Sequence, residues 1–342
     1  MRPARSPTLS PLTDPKIKGD LLSKLIAAPH QTQVPAPRNL PKKPFLKRLG
    51  KGGFVAALPF LAPALAAYVV FVIGPMVSAV RLSLYEWSGF NTDPQVFVGF
   101  QNYVRLFTQD PVFWTAMQNT IVWVLLSLVI PTTLGLVMAL ALNRPIFGRN
   151  LFRSVFYIPG VLAPIAIANM WRWMYNPNYG VFSELAKAWN IGDGSGVTFL
   201  SDPKVAIYAI FAAFVWQIAG LNMVLFLAGL QSVSKDLVES AKLDGANNWK
   251  VFRHVTFPAL RPTVVVVLVL TIVHSIKVFD LVVGMTGGGP AQSSQVLALW
   301  SYSQSFLQHD FGMGNAIATV LLGITLVLVI PYLIWSTKGN ED

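Results

Sequence analysis

The sequence predicts an all-α polytopic membrane protein with six transmembrane helices. Three observations carry this. Of 342 residues, 54% are hydrophobic and only 12% charged, whereas about a quarter of a soluble domain is charged; mean hydropathy is +0.53. Six apolar blocks each reach the ~20 residues an α-helix needs to cross hydrocarbon. The 26 Lys and Arg alternate in density from one intervening segment to the next. Backbone groups in lipid have no water to bond, so the blocks are expected as helices.

Residues 1–50 precede the first block and are basic and Pro-rich, with LPKKPFLKRLGK at the end. Repeated proline prevents a stable element over most of this stretch. It reads as a largely disordered cytoplasmic tail, with room for one amphipathic turn near residues 17–26 and an alternative role on anionic lipid or a partner. Residues 1–30 hold no uninterrupted apolar run, so no signal peptide is expected. The membrane domain is placed at 51–338, with spans at 54–80, 116–142, 151–174, 205–231, 263–283 and 312–335. Pro59, Pro63, Pro131 and Pro164 predict kinks within them.

Orientation follows from the positive-inside rule. Eleven of the 26 Lys and Arg lie before Phe54; Arg144, Arg149 and Arg153, the segment 232–262, and Lys338 fall on the same side. Arg81, Arg105, Lys187 and Lys204 are all that the opposite loops hold, with Arg172 and Lys277 near helix ends. Six spans then place both termini in the cytoplasm. The same distribution accounts for the net charge of +11 without a nucleic-acid partner.

The opposite loops are aromatic and turn-rich: YEWSGF, GFQNYVRLF and DPVFW over 81–115, NPNYGVF and NIGDGSG over 175–204, and MTGGGP opening 284–310. They read as ordered caps or as interfacial aromatic belts. Cysteine is absent, which removes disulfides and thiolate metal sites. There is no phosphate loop of the G-x-x-x-x-G-K-[ST] type, no H-E-x-x-H and no G-x-S-x-G. His30, His254, His274 and His309 are too scattered for a metal site. TGGGP at Thr286–Pro290 follows a membrane helix and lacks the Lys-Ser/Thr of a phosphate cradle, so a tight turn or re-entrant loop is expected.

One polar segment stands apart. Residues 239–262 read ESAKLDGANNWKVFRHVTFPALRP. Leu237, Val238, Ala241 and Leu243 recur at helical spacing, Gly245 interrupts, and Trp249, Phe252, Val255 and Phe257 resume. The pattern predicts a helix, a glycine turn and a second helix closed by Pro258. Two short amphipathic helices on a membrane surface suit a soluble partner; an ordinary solvated loop is the alternative.

The pattern Glu239-Ser240-Ala241-x-x-Asp244-Gly245-Ala246, followed by Phe252 and Pro258, resembles the EAA loop of permease subunits in binding-protein-dependent ABC importers. Ser240 stands where that consensus prefers Ala. GFQNYVRLF, DPVFW, NT before the second span and FYIP in the third are similar to the sugar-importing branch. TGGGP after the fifth span resembles the maltose-type (MalF-like) member of a pair. The resemblance covers about 54–336 and implies the type I importer fold in a prokaryotic inner membrane, with a cytoplasmic coupling helix. It further implies a second permease with its own EAA loop, two ABC ATPase subunits and an extracytoplasmic solute-binding protein. No cofactor is expected on this chain; ATP and Mg would be bound by the ATPases. Glu239 would meet a basic residue of the ATPase, Gly245 would permit the turn, and Ala241 and Ala246 would allow close approach.

Polar groups inside a bundle are costly unless paired or functional. In the fifth block Thr271, His274, Ser275 and Val278 follow i, i+3, i+4 and i+7, one helix face. The fourth contributes Trp216, Gln217 and Asn222, with Leu221 on the Gln217 face. Aromatic surfaces beside amides and hydroxyls suit a neutral polyol; interhelical hydrogen bonding is the alternative. Lys277 and Asp280 are expected to pair; Asn169 and Arg172 are ambiguous, and Arg172 and Lys277 become suspects for an anionic solute such as glycerol phosphate. The expected function is carbohydrate import without chemistry on the solute. An importer of another solute, an ATP-independent channel and a membrane enzyme are the alternatives.

Overall fold

The computed structural model describes residues 51–189 and 198–338; the predicted tail and NIGDGSG lie outside the described residues. The chain divides into two units, Met1–Ala66 and Ala67–Asp342. Of the first, the described residues 51–66 all belong to helix α1 (Lys51–Tyr68). A π-helical turn (Val69–Ile73) leads from it into α2 (Gly74–Leu82). Phe60–Leu82 forms a first span in which no residue is buried.

A short hairpin follows, β1 (Tyr85–Glu86) antiparallel to β2 (Val96–Phe97), with Tyr85 opposite Phe97. Next come α3 (Gln101–Gln109) and the long α4 (Pro111–Leu142). The start of α4 is set by Asp110, whose carboxylate accepts from Phe113 N at 2.9 Å, while Pro111 takes the first helical position, where a missing N–H costs nothing. At its far end Arg153 Nη2 donates to Leu142 O at 2.7 Å, placing a cation on the negative end of the helix. Pro131 does not break α4. Its missing N–H frees Ser127 O, and Thr132 Oγ1 stands 3.5 Å from that oxygen.

The third span departs from the expected straight helix with a kink. α5 (Arg149–Val161) and α6 (Pro164–Met174) meet at 102°. Pro164 drives the preceding residue out of the α region, and here two residues in a row are extended: Leu162 at ψ 144° and Ala163 at ψ 133°. The freed carbonyl of Leu162 lies 3.4 Å from Gln217 Nε2.

Beyond α7 (Val181–Ala188) runs α8 (Ala206–Gln231), the most enclosed membrane helix, with 67% of its apolar window buried. α4, α5 and the fifth span all pack on it. Small residues set the crossings. A Cβ on Gly220 would stand 1.8 Å from Phe156 O of α5, one on Gly135 of α4 would stand 2.6 Å from Asn222 Cβ, and one on Gly229 would stand 2.3 Å from Thr263 Oγ1. Trp123 of α4 sits against Phe211 and Phe214 with ring centroids 5.0 and 5.3 Å away.

α9 (Lys235–Leu243) and α10 (Asn248–Val251) precede a π-helical turn (Phe252–Thr256) and α11 (Phe257–Ile276). α12 (Asp280–Met285), α13 (Leu297–Tyr302), a π-helical turn (Ser303–Leu307) and α14 (Phe311–Lys338) complete the chain. Among the described residues five helices are long and apolar enough to cross a membrane, and counting the bent α5–α6 pair as one span makes six.

On the side away from residues 232–262, described loop residues are tied to helix ends by hydrogen bonds. Asn119 Nδ2 donates to Ser293 O and Gln295 O at 2.7 and 2.8 Å. Thr120 Oγ1 accepts from Leu297 N at 3.1 Å, and Trp300 Nε1 donates to Asp110 at 2.8 Å. Thr286–Pro290 is a self-bonded turn: Thr286 Oγ1 and Ser294 Oγ are 2.8 Å apart, and Ser294 Oγ also bonds Gly289 O.

Gly220→Ala is expected to lower stability by about 1–3 kcal/mol, the usual cost of overpacking. The control is Gly323→Ala, where an added Cβ meets nothing within 4 Å and helix propensity favours Ala by up to ~1 kcal/mol. Thermal midpoints of the two purified variants check this.

Candidate functional site

The polar segment folds as the sequence predicts up to Gly245. Ser234 precedes α9, and the helix ends at Asp244, which bonds Ser240 O through its N–H at 3.0 Å. Gly245 then takes φ +81°. Its N–H reaches Lys242 O and that of Ala246 reaches Ala241 O, both at 3.0 Å. These two bonds define a Schellman closure, which needs a left-handed residue at that point. Asn247 Oδ1 starts the next helix by accepting from Lys250 N at 2.9 Å.

Pro258 does not close the second helix. Residues Asn248–Ile276 form one continuous helical rod, with Pro258 in the first turn of α11. Proline has no N–H to give the carbonyl four residues back. The π-helical turn just before it, in which Phe257 N bonds Phe252 O, takes up the mismatch. Phe252 lies between Trp249 and Phe257, 5.6 and 5.9 Å away by ring centroid.

Glu239 and Ser240 are exposed, while Ala241 and Ala246 are half-buried. Glu239 forms no ion pair among the described residues. It borders a cavity of about 850 Å³ with Lys235, Lys242, Trp249, Arg144 of the α4–α5 connection and Leu140 of α4. Leu243 and Trp249 are 89% and 64% exposed, a large apolar presentation beside several charges.

The candidate pathway residues divide. Thr271, Ser275, Gln217 and Asn222 are buried within this chain. Asn222 Nδ2 stands 3.4 Å from Thr271 Oγ1, Ser275 Oγ donates to Thr271 O at 2.6 Å, and Gln217 faces the break in the third span. Leu221 packs at Gly160, whose Cβ would stand 3.7 Å from Leu221 Cβ. His274 and Trp216 are exposed on this single chain; Trp216 meets Trp171 at 5.9 Å.

Val278 is not on the helix face assigned to it. The fifth span ends at Ile276 rather than 283, Lys277 caps it, and Val278 packs instead with Leu281, Val282 and Ile167. The same break separates Lys277 from Asp280, because an i, i+3 pair meets only on a continuous helix; no ion pair joins them among the described residues. Asn169 and Arg172 are exposed on α6. Arg172 lines a cavity of about 370 Å³ with Tyr175, Asn176, Ser201 and Thr286. The described residues gather no three His, Asp or Glu side chains into a metal site.

Asp110, Asn119, Thr120 and Arg153 were not singled out by residue chemistry. The Asp-Pro of DPVFW is a readable helix start, but the partners at Ser293, Gln295 and Trp300 are too distant in sequence to be seen there.

Residues 131–337 match the family model of the binding-protein-dependent transport system inner membrane component. The chain belongs to this family. It is a permease subunit of an ABC importer and a multi-pass protein of the prokaryotic inner membrane. A probable ABC transporter permease of Pyrococcus horikoshii is 36% identical over 287 residues, covering 82% of this chain and 96% of that protein. The trehalose/maltose transport system permease MalF of Thermococcus litoralis is 34% identical over 286 residues, covering 84% and 94%. The fold is that of a bacterial ABC transporter involved in import of the acidic polysaccharide alginate: the TM-score is 0.71 at 24% identity, covering 86% of this chain and 98% of that one.

Gly245→Val is expected to open the Schellman closure. Space is not limiting, because a Cβ there meets nothing within 4 Å; the left-handed φ costs a β-branched residue about 1–3 kcal/mol. Hydrogen exchange of the peptide spanning 240–250 should rise several-fold in the variant, while that of α8 stays unchanged.

Proposed function

We propose that this permease imports a carbohydrate by alternating access, with residues 232–262 receiving the motion of ATPase subunits that bind ATP and Mg. The observation that carries the coupling role is the segment's construction. A Glu239 carboxylate with no ion pair among the described residues and uncovered Leu243 and Trp249 sit on a hydrogen-bonded helical corner, and that corner runs without interruption into a membrane rod. A salt bridge from Glu239 to the ATPase would act chiefly as registration, since desolvation offsets most of what a buried pair gains. The loop lies in the cytoplasm with both termini, as the basic residues on that side support.

The machine needs two ATPases, a second permease with its own EAA loop and a solute-binding protein; the maltose-type position in the pair rests on TGGGP after the fifth span. His274 and Trp216, exposed on this chain and polar or aromatic, are the residues best placed to face a translocation path shared with the second permease. The Thermococcus litoralis relative, a trehalose/maltose transport system permease, supports a carbohydrate. An anionic solute is the second reading, favoured by Arg172 in its cavity and by Lys277, neither of which pairs with an acid among the described residues.

Glu239→Ala or Gly245→Val should leave the protein in the membrane and cut uptake at least tenfold while partner ATPase activity persists; unchanged uptake would reject the coupling role. Replacing His274 by Ala should change uptake without changing assembly, read by co-purification of the subunits. The purified chain alone should hydrolyse no ATP above background.

A further inference from the structure

The hairpin and α3 connect the first two spans, at the end away from residues 232–262. α3 carries three kinds of side chain on three sectors. At 100° per residue, Asn102 and Leu106 fall on one, Gln101, Arg105, Thr108 and Gln109 on a second, and Val104 and Phe107, with Phe100 just before them, on a third. The first sector is packed: Leu106 is fully buried, and Asn102 Nδ2 donates to Ser83 O and Tyr85 O at 2.9 Å each. The second is polar and exposed; Arg105 reaches Asp310 at 3.8 Å across the surface. The third is apolar and uncovered, with Phe100, Val104 and Phe107 at 73%, 57% and 42% exposure.

What covers the third sector is indicated by its continuity with the membrane-facing surface. A single residue, Asp110, separates α3 from the helix that crosses the bilayer. Trp114, in the first turn of α4, donates its Nε1–H to Phe107 O at 3.0 Å, and the rings of Phe107 and Trp114 lie 5.9 Å apart. Below Trp114 the exposed face of α4 continues as Ile121, Val122 and Leu125, residues of a lipid-crossing helix. Phe97 at the end of the hairpin is exposed as well, and β1 begins only three residues after the first span ends. Both ends of this element are therefore anchored at the level of the headgroups, where Trp and Phe are favoured and where an amphipathic helix lies in the plane of the surface.

We infer that α3 is an interfacial helix whose Phe100, Val104 and Phe107 insert into the acyl boundary of the adjoining leaflet, with Gln101, Thr108 and Gln109 turned to water. The occupant is lipid rather than a protein partner, because the apolar sector is the direct extension of the exposed apolar face of a membrane-spanning helix, while the neighbouring sector carries the polar residues that water requires.

The chain has no cysteine, so single-cysteine variants labelled before assembly with the other subunits carry one spin label each. Labels at Phe100→Cys, Val104→Cys and Phe107→Cys, and at Gln101→Cys and Thr108→Cys as controls, would be placed in the full chain within its assembled transporter in liposomes. Collision with oxygen, which partitions into lipid, is compared with collision with a water-soluble nickel chelate. The expected result is oxygen exceeding nickel several-fold at 100, 104 and 107 and the reverse at 101 and 108. Nickel collision at the first three equal to that at the controls would overturn the inference, leaving the face in water. Low collision with both reagents at those three would also overturn it and assign the face to a protein partner.

Discussion

A backbone carbonyl inside a bilayer must find a donor within the protein, and this fold is built around one place where the helix cannot supply it. Pro164 breaks the third span, two residues extend, and Leu162 O is left open. Gln217 of α8 stands 3.4 Å from it. That amide has to come from a helix lying close against the break, and close approach is what Gly220 and Gly160 allow. The sharp turn in the third span and the enclosure of α8 are thus one arrangement seen from two sides.

The same rule explains why the bundle's polar groups are mostly spoken for. Thr132 approaches the carbonyl freed by Pro131, Ser275 bonds Thr271 O, and Asn222 leans toward Thr271. These buried groups hold helices together. Groups that stay uncovered on one chain, among them His274, Trp216, Asn169 and Arg172 within the spans and Glu239 at the corner, have capacity left for something outside it.

Much of this was legible in the sequence. Apolar block length gave the number of crossings, and Gly245 between two helical periodicities gave the corner at 239–252. What was not legible has specific causes. Thr271, His274, Ser275 and Val278 share a face only if the helix runs on, and nothing in VHSIKVFDL is a glycine or proline to announce its end after Ile276. Pro258 looked like a stop because proline usually is one; a π-helical turn placed just before it let the helix continue, and such turns leave no compositional mark. The 102° turn was foreseen only as a kink, since Pro164 constrains one residue and the second extended residue depends on packing against α8. The locks at Asn119, Thr120 and Asp110 depend on partners about 180 residues away.

The Gly229–Thr263 crossing has a mechanical consequence. The rod from Asn248 to Ile276 is about 40 Å long at 1.5 Å per residue, and Thr263 falls near its middle. Were the rod to turn as a rigid body about that contact, its two arms would be of nearly equal length. Displacing Trp249 sideways by a few ångströms would then swing His274 by about the same distance the opposite way. Gearing would be close to one to one with reversed sign, and an inward pull at the corner would widen the far end instead of closing it.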